Sequence, residues 1–170
     1  QTTPNSSNRD AILTIGMGKL LNLLLFVKTL RTTGSKCRFI VFLDDEAMHH
    51  YDRNFYTTAE NCGVEFVNFD RLKRYLDIAC LRFRIYLDFL LINRNLFDRV
   101  YLCDMFDTAV QHDPFTTDFG DSLYLCDEGI KIKDDSINTY WISKCISDME
   151  ANSNDKSFIF SEEIKKNIFE

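Results

Sequence analysis

Apolar and polar positions alternate along this chain between a short β-like period and a longer helical one. Ala11-Ile12-Leu13-Thr14-Ile15 is a compact apolar run closed by Gly16-Met17-Gly18, and Lys19 to Thr29 reads as a helix that is apolar almost all round. Gly34 ends this unit, and Arg38 to Leu43 is a second β-rich run that stops at Asp44-Asp45. From Glu46 to Cys62, apolar Tyr51, Phe55, Ala59 and Cys62 recur at helical spacing, Gly63 supplies a stop, and Val64 to Phe69 predicts a third strand. A long helix is expected from about Asp77 to Asn93, with Ile78, Leu81, Ile85, Phe89 and Leu90 on one face. Arg99 to Cys103 predicts a fourth strand running straight into Asp104.

Beyond a loop holding Asp113-Pro114-Phe115, Ser122 to Cys126 predicts a fifth strand, followed by Asp127-Glu128-Gly129. Ile137 to Met149 predicts a helix with Trp141, Cys145 and Met149 four apart, and Ser161 with Glu162 and Glu163 has the pattern of a further helix start. Residues 1–10 lack periodicity and are expected as a flexible lead-in. Strands alternating with helices predict an α/β fold of three layers, α/β/α, around a mainly parallel, Rossmann-like sheet.

Composition narrows the function. Fifteen Phe, seven Tyr and only two Pro among 170 residues supply a core that a linker could not. A net charge of −6 argues against a nucleic-acid partner, which calls for clustered Lys and Arg. The longest apolar stretch, Leu20 to Val27, is far shorter than the roughly 20 residues of a membrane span. The six cysteines form no C-x-x-C pair, which argues against a structural zinc site and for buried thiols.

In an open parallel sheet, ligands bind beyond the carboxyl ends of the strands. Here the residues that follow the expected strands are Gly16 and Gly18, then Asp44 and Asp45, then Asp104 and Asp107, then Asp127 and Glu128. The sharpest feature is VYLCDMFDTAVQHDPF, in which an apolar strand delivers two carboxylates three residues apart. Hard cations such as Mg²⁺ or Mn²⁺ take one or two carboxylates and complete their shell with water and substrate phosphates. Asp104 and Asp107 are therefore candidate metal ligands, and the ion would neutralise a diphosphate leaving group. Two solvated turn residues are the plain alternative.

The run LRFRIYLDFLLINRNLFDRVYLCDMFDTAVQHDPF, Leu81 to Phe115, resembles the central segment of the GT-A glycosyltransferase-like proteins. There an Arg-aromatic helix precedes a strand that ends in the metal-binding acidic motif, followed by a Gln and an Asp-Pro-Phe turn. AILTIGMGKLLNLLLFVKTLRTTGSKCRFIVFLDD resembles their first nucleotide-binding βαβ unit, and LCDEGIKI a later strand. The resemblance spans roughly 11 to 145. It implies transfer of a sugar from a UDP- or GDP-sugar, with Mn²⁺ or Mg²⁺, to a hydroxyl of a glycan, protein or lipid acceptor, and by analogy residence in the secretory pathway.

Position by position, the resemblance implies Asp104 and Asp107 at the metal and diphosphate, and Arg82, with Arg84 as a rival, facing the sugar nucleotide. It implies Ile15 and Gly16 at the base and ribose, and Asp44 near the nucleotide. This chain has two residues between its carboxylates where the common motif has one. Such proteins also have a C-terminal half for acceptor contacts, so residues 11–170 are expected to be the nucleotide-sugar-binding part of a domain truncated at its C-terminus.

Two other readings follow from the residues. A non-catalytic binding protein would keep this fold without the reaction. A phosphotransferase of the haloacid-dehalogenase type would use an Asp at a strand end with a second acid and a Thr nearby, as Asp104, Asp107 and Thr108 imitate. Gly16-x-Gly18 lacks the third Gly of a dinucleotide fingerprint, and His49-His50 point about 100° apart on a helix and cannot share one metal.

Overall fold

A computed structural model describes residues 5–18, 20, 22–69, 78–117, 120–125, 129–152 and 166. Strands β1 (Asp10–Gly16), β2 (Arg38–Leu43), β3 (Val64–Asn68) and β4 (Arg99–Leu102) form a wholly parallel sheet in the order β3-β2-β1-β4. Helices α1 (Leu23–Thr32), α2 (Asp45–His50), α3 (Arg53–Asn61), α4 (Ile78–Asn93) and α5 (Ser136–Asn152), with short 3-10 turns at Arg94–Leu96 and Ile132–Asp134, complete the described elements. The fold is α/β. The chain divides into two compact units, residues 1–71 with 86–120 and residues 72–85 with 121–170.

The sheet lies in the first unit, and its register explains its two faces, because paired residues of parallel strands point the same way. Ile12, Phe39 and Val64 align, as do Thr14, Val41 and Phe66. This face packs against Leu23, Phe26, Val27 and Leu30 of α1 and Ala59 of α3, with the Phe26 and Phe39 rings stacked at 4.8 Å. On the opposite face Leu13 aligns with Ile40 and Ile15 with Phe42. There the Phe42 ring meets Tyr86 at 5.4 Å and Phe89 at 5.2 Å, both on the first-unit portion of α4. Helices thus cover both faces, giving three layers.

The chain deviates from the periodicity at defined points. Asn22 takes a left-handed conformation, φ 64°, so the first helix begins at Leu23 instead of Lys19. Asn is among the few side chains that tolerate that region. The expected helix from Glu46 to Cys62 is two helices, each started by its own aspartate: Asp44 accepts a hydrogen bond from the Ala47 N–H and Asp52 from the Phe55 N–H, with Tyr51 extended between them. Residues 122–125 form no strand, and Leu123 and Leu125 are 85% and 83% exposed. Their β propensity measures fit to a pleated, half-buried surface, which they do not have here. The other half of that expectation, Cys126 with Asp127 and Glu128, and the helix start at Ser161 lie outside the described residues.

The lead-in is tied down from residue 5. Ser6 is buried, its N–H donates to Asp113 Oδ2 at 2.9 Å, and its hydroxyl lies 2.9 Å from that of Ser35. Arg99 closes a two-pronged ion pair on its register partner Asp10 at 2.7 and 3.0 Å and donates to the Phe115 carbonyl. In the second unit, Asp135 caps α5 through the Ile137 N–H, and Leu81, Ile85 and Ile146 are buried. Among the described residues no helix is long and apolar enough to cross a membrane.

Candidate functional site

The sheet order sets where a ligand would bind. From β1 the chain winds outward through β2 to β3, then returns to the other side of β1 for β4, so the switch point lies between the carboxyl ends of β1 and β4. Three loops of the first unit meet there.

The β1–α1 loop passes closest to its neighbours at Gly16. A Cβ there would come within 2.2 Å of Leu20 Cδ2 and 3.2 Å of Met105 Cε, so any side chain would have to push the end of Leu20 aside. Gly18 follows with φ 60°, and its N–H donates to Asp44 Oδ1 at 3.3 Å. The Leu20 N–H donates to the Tyr51 hydroxyl at 2.9 Å. Asn22 Nδ2 donates to the Phe106 carbonyl, joining this loop to the one after β4.

After β2 stand three acids with three different surroundings. Asp44 is 1% exposed, and its Oδ1 takes the Gly18 and Ala47 N–H groups, so its role is to bind loop to helix. Asp45 is exposed and accepts from Asn68 Nδ2 at 3.1 Å, toward β3. Glu46 is exposed and leans the other way, its carboxylate over Gly18.

After β4 the chain reads Asp104-Met105-Phe106-Asp107, and its burial alternates with its chemistry. Met105 is fully buried against Gly16 and Phe106 half-buried, whereas Asp104 and Asp107 are exposed. Asp104 Oδ1 accepts the Phe106 N–H at 3.2 Å, closing the turn on itself. The apolar pair thus pins the turn while both carboxylates face outward. Just before it, burial pushes the Cys103 thiol up to about 12, with the Asp104 charge and Cys37 adding to the effect.

Among the described residues no three His, Cys, Asp or Glu side chains gather as a metal cage. The donor set at β4 is two outward carboxylates, which suits Mg²⁺ or Mn²⁺ completed by phosphate and water and does not suit a closed protein site. Of the other expected residues, Ile15 is buried on β1, facing the α4 side of the sheet with Phe42. Arg82 belongs to the second unit, its guanidinium 5.0 Å from the Phe83 ring centre, and Arg84 is exposed. The structure therefore gathers Gly16, Asp44, Asp104 and Asp107 within the first unit. Asn22, Tyr51, Glu46 and Met105 complete it without having been singled out for it in the sequence. Asn22 did carry a signal, a polar break inside a Leu-rich run.

Comparison with protein-family models, curated proteins and solved structures finds no match to this chain. Fold and site by themselves define a parallel α/β protein with a glycine turn and outward carboxylates at its switch point.

Proposed function

We propose that this chain is the nucleotide-sugar-binding part of a GT-A-type glycosyltransferase, which transfers a sugar from a UDP- or GDP-sugar to a hydroxyl of a glycan, protein or lipid acceptor. The observation that carries this reading is the Asp104–Asp107 turn, pinned by Met105 beside Gly16 at the switch point with both carboxylates outward.

In this reading the nucleotide lies beyond the carboxyl end of β1, beside a loop that Gly16 lets pack closely against Leu20 and Met105. Asp104 and Asp107 hold Mn²⁺ or Mg²⁺, which when bound supplies positive charge against the diphosphate leaving group. Asp44 keeps the glycine turn in place from below, and Asn22 couples it to the acidic turn. Ile15 backs the loop from β1.

Calorimetric titration of UDP and of GDP, with and without Mn²⁺, tests the reading on the native chain and on Asp104→Ala. Metal-dependent binding of one nucleotide, lost in the variant, is the expected result. Absence of binding to both would refute the donor site and favour a non-catalytic relative. Phosphate incorporated covalently at Asp104 from a small acyl phosphate would instead indicate phosphotransferase chemistry.

A further inference from the structure

We propose that residues 121–140 are the surface through which two copies of this chain associate, their Ser122–Leu125 runs pairing antiparallel across a two-fold axis. The run has the residues of a strand without the surroundings of one: no strand forms, and Leu123 and Leu125 are 85% and 83% exposed. Of the described residues from 120 to 137, all but Asp135 are exposed. The backbone turns through Gly120, φ 59°, before the run and through Gly129, φ 71°, after it. No described atom lies within 4 Å of where a Cβ would stand on either glycine, so the chain is open at both ends of an apolar run.

Four residues separate Leu125 from Ile130, which keeps the two within about 18 Å even on a fully extended chain. Ile130 and Ile132 are 49% and 44% exposed, and Ile137 and Tyr140, one turn apart on α5, are 65% and 60% exposed. The Thr139 hydroxyl donates to the Ile132 carbonyl at 2.8 Å and Asp135 caps α5, so Ile132, Ile137 and Tyr140 are carried on one fixed piece of backbone. A monomer rarely exposes an apolar patch of more than a few hundred Å². At these exposures the six side chains of two copies bring together on the order of 1,400 Å², close to the roughly 1,600 Å² of a standard interface. A second copy is the occupant that suits the run itself. Ser122–Leu125 holds no charge, proline or glycine, so two copies pair without like charges opposite each other. Each then gives the other the pleated, half-buried setting its β-forming residues lack, by the self-complementary contact of a two-fold axis. Five acids against two lysines between 121 and 140 disfavour an anionic lipid surface in that place.

Sedimentation equilibrium of the native chain, of Leu123→Glu with Leu125→Glu, and of Leu87→Glu with Leu91→Glu tests the assignment. Leu87 and Leu91 are a separate exposed apolar pair, one turn apart on α4. All four leucines are exposed, so both variants should keep the fold, which circular dichroism checks. The expected result is a native dimer in the micromolar range whose dissociation constant rises about hundredfold or more when Leu123 and Leu125 are replaced, because like charges then meet across the axis. The α4 variant should dimerise as the native chain does. A native chain that stays monomeric up to about 100 μM would overturn the assignment, as would a dimer that the Leu123 and Leu125 replacements leave intact. A monomer that floats with neutral phosphatidylcholine vesicles would overturn it in favour of a lipid surface.

Discussion

The Asp44 carboxylate accepts the Gly18 N–H at 3.3 Å with the same oxygen that caps α2 through Ala47 at 2.8 Å. One buried atom therefore fixes both the glycine turn and the start of the helix that carries Glu46. Asp44→Ala should cost about 2 kcal/mol, as loss of a cap and of a buried acceptor together. Asp44→Asn, which keeps a carbonyl oxygen, should cost less. Urea unfolding of the three proteins checks the order, and equal midpoints for Asp44→Ala and the native chain would contradict it.

Asp113 makes the opposite pole of the sheet sensitive to acid. Burial works to raise its pKa, but hydrogen bonds from the Ser6 hydroxyl and N–H, the Phe115 N–H and the Ser35 hydroxyl together outweigh burial and leave it below the ordinary carboxylate value. A carboxyl that titrates lower when folded than when unfolded contributes stability that is complete above its unfolded pKa. That contribution is lost as the pH falls through the folded pKa. Stability should therefore drop once the pH passes below the ordinary value of 3.8, and Asp113→Asn should be less stable at neutral pH with a shallower acid slope. Thermal melts across the acid range read both effects.

These two aspartates show what was legible in the sequence and what was not. Strand periods located the four strands of the sheet, because burial on a regular backbone leaves a repeat, while the same pattern at Ser122 to Leu125 marked a segment that forms no strand. Two carboxylates three residues apart directly after an apolar strand likewise marked the Asp104–Asp107 turn. Chemistry alone did not separate Asp44 from Asp45, since an acid after a strand serves equally as a helix cap or as a ligand, and burial shows Asp44 to be the cap. The split at Asp52 was hidden because both halves share one apolar period. Ser6 and Asp113 are 107 positions apart, and no local pattern reports a pairing at that distance.

Gly16 provides a packing test of the site. A methyl group there meets Leu20 Cδ2 at 2.2 Å, while Met105 and Leu43 close the other sides at 3.2 and 3.3 Å. Gly16→Ala should cost about 1–3 kcal/mol by overpacking. Leu20→Ala removes the clashing atom, so the double variant should be no less stable than Leu20→Ala alone, a coupling that a double-mutant cycle measures. Additive losses would place the strain elsewhere.

Asn22 separates backbone shape from cross-loop contact. Its φ of 64° suits glycine, whereas its Nδ2 reaches the Phe106 carbonyl next to Asp107. Asn22→Gly keeps the left-handed turn and removes only the contact, so its stability should change by a few tenths of a kcal/mol, while Asn22→Ala strains the turn and costs about 1 kcal/mol. If that contact steadies the acidic turn, Asn22→Gly should weaken Mn²⁺-dependent nucleotide binding several-fold at nearly unchanged unfolding midpoint. Asn22→Ala should then lose binding and stability together. A Gly variant that binds as tightly as the native chain would show that Met105, buried against Gly16, holds Asp104 and Asp107 in place without help from the first loop.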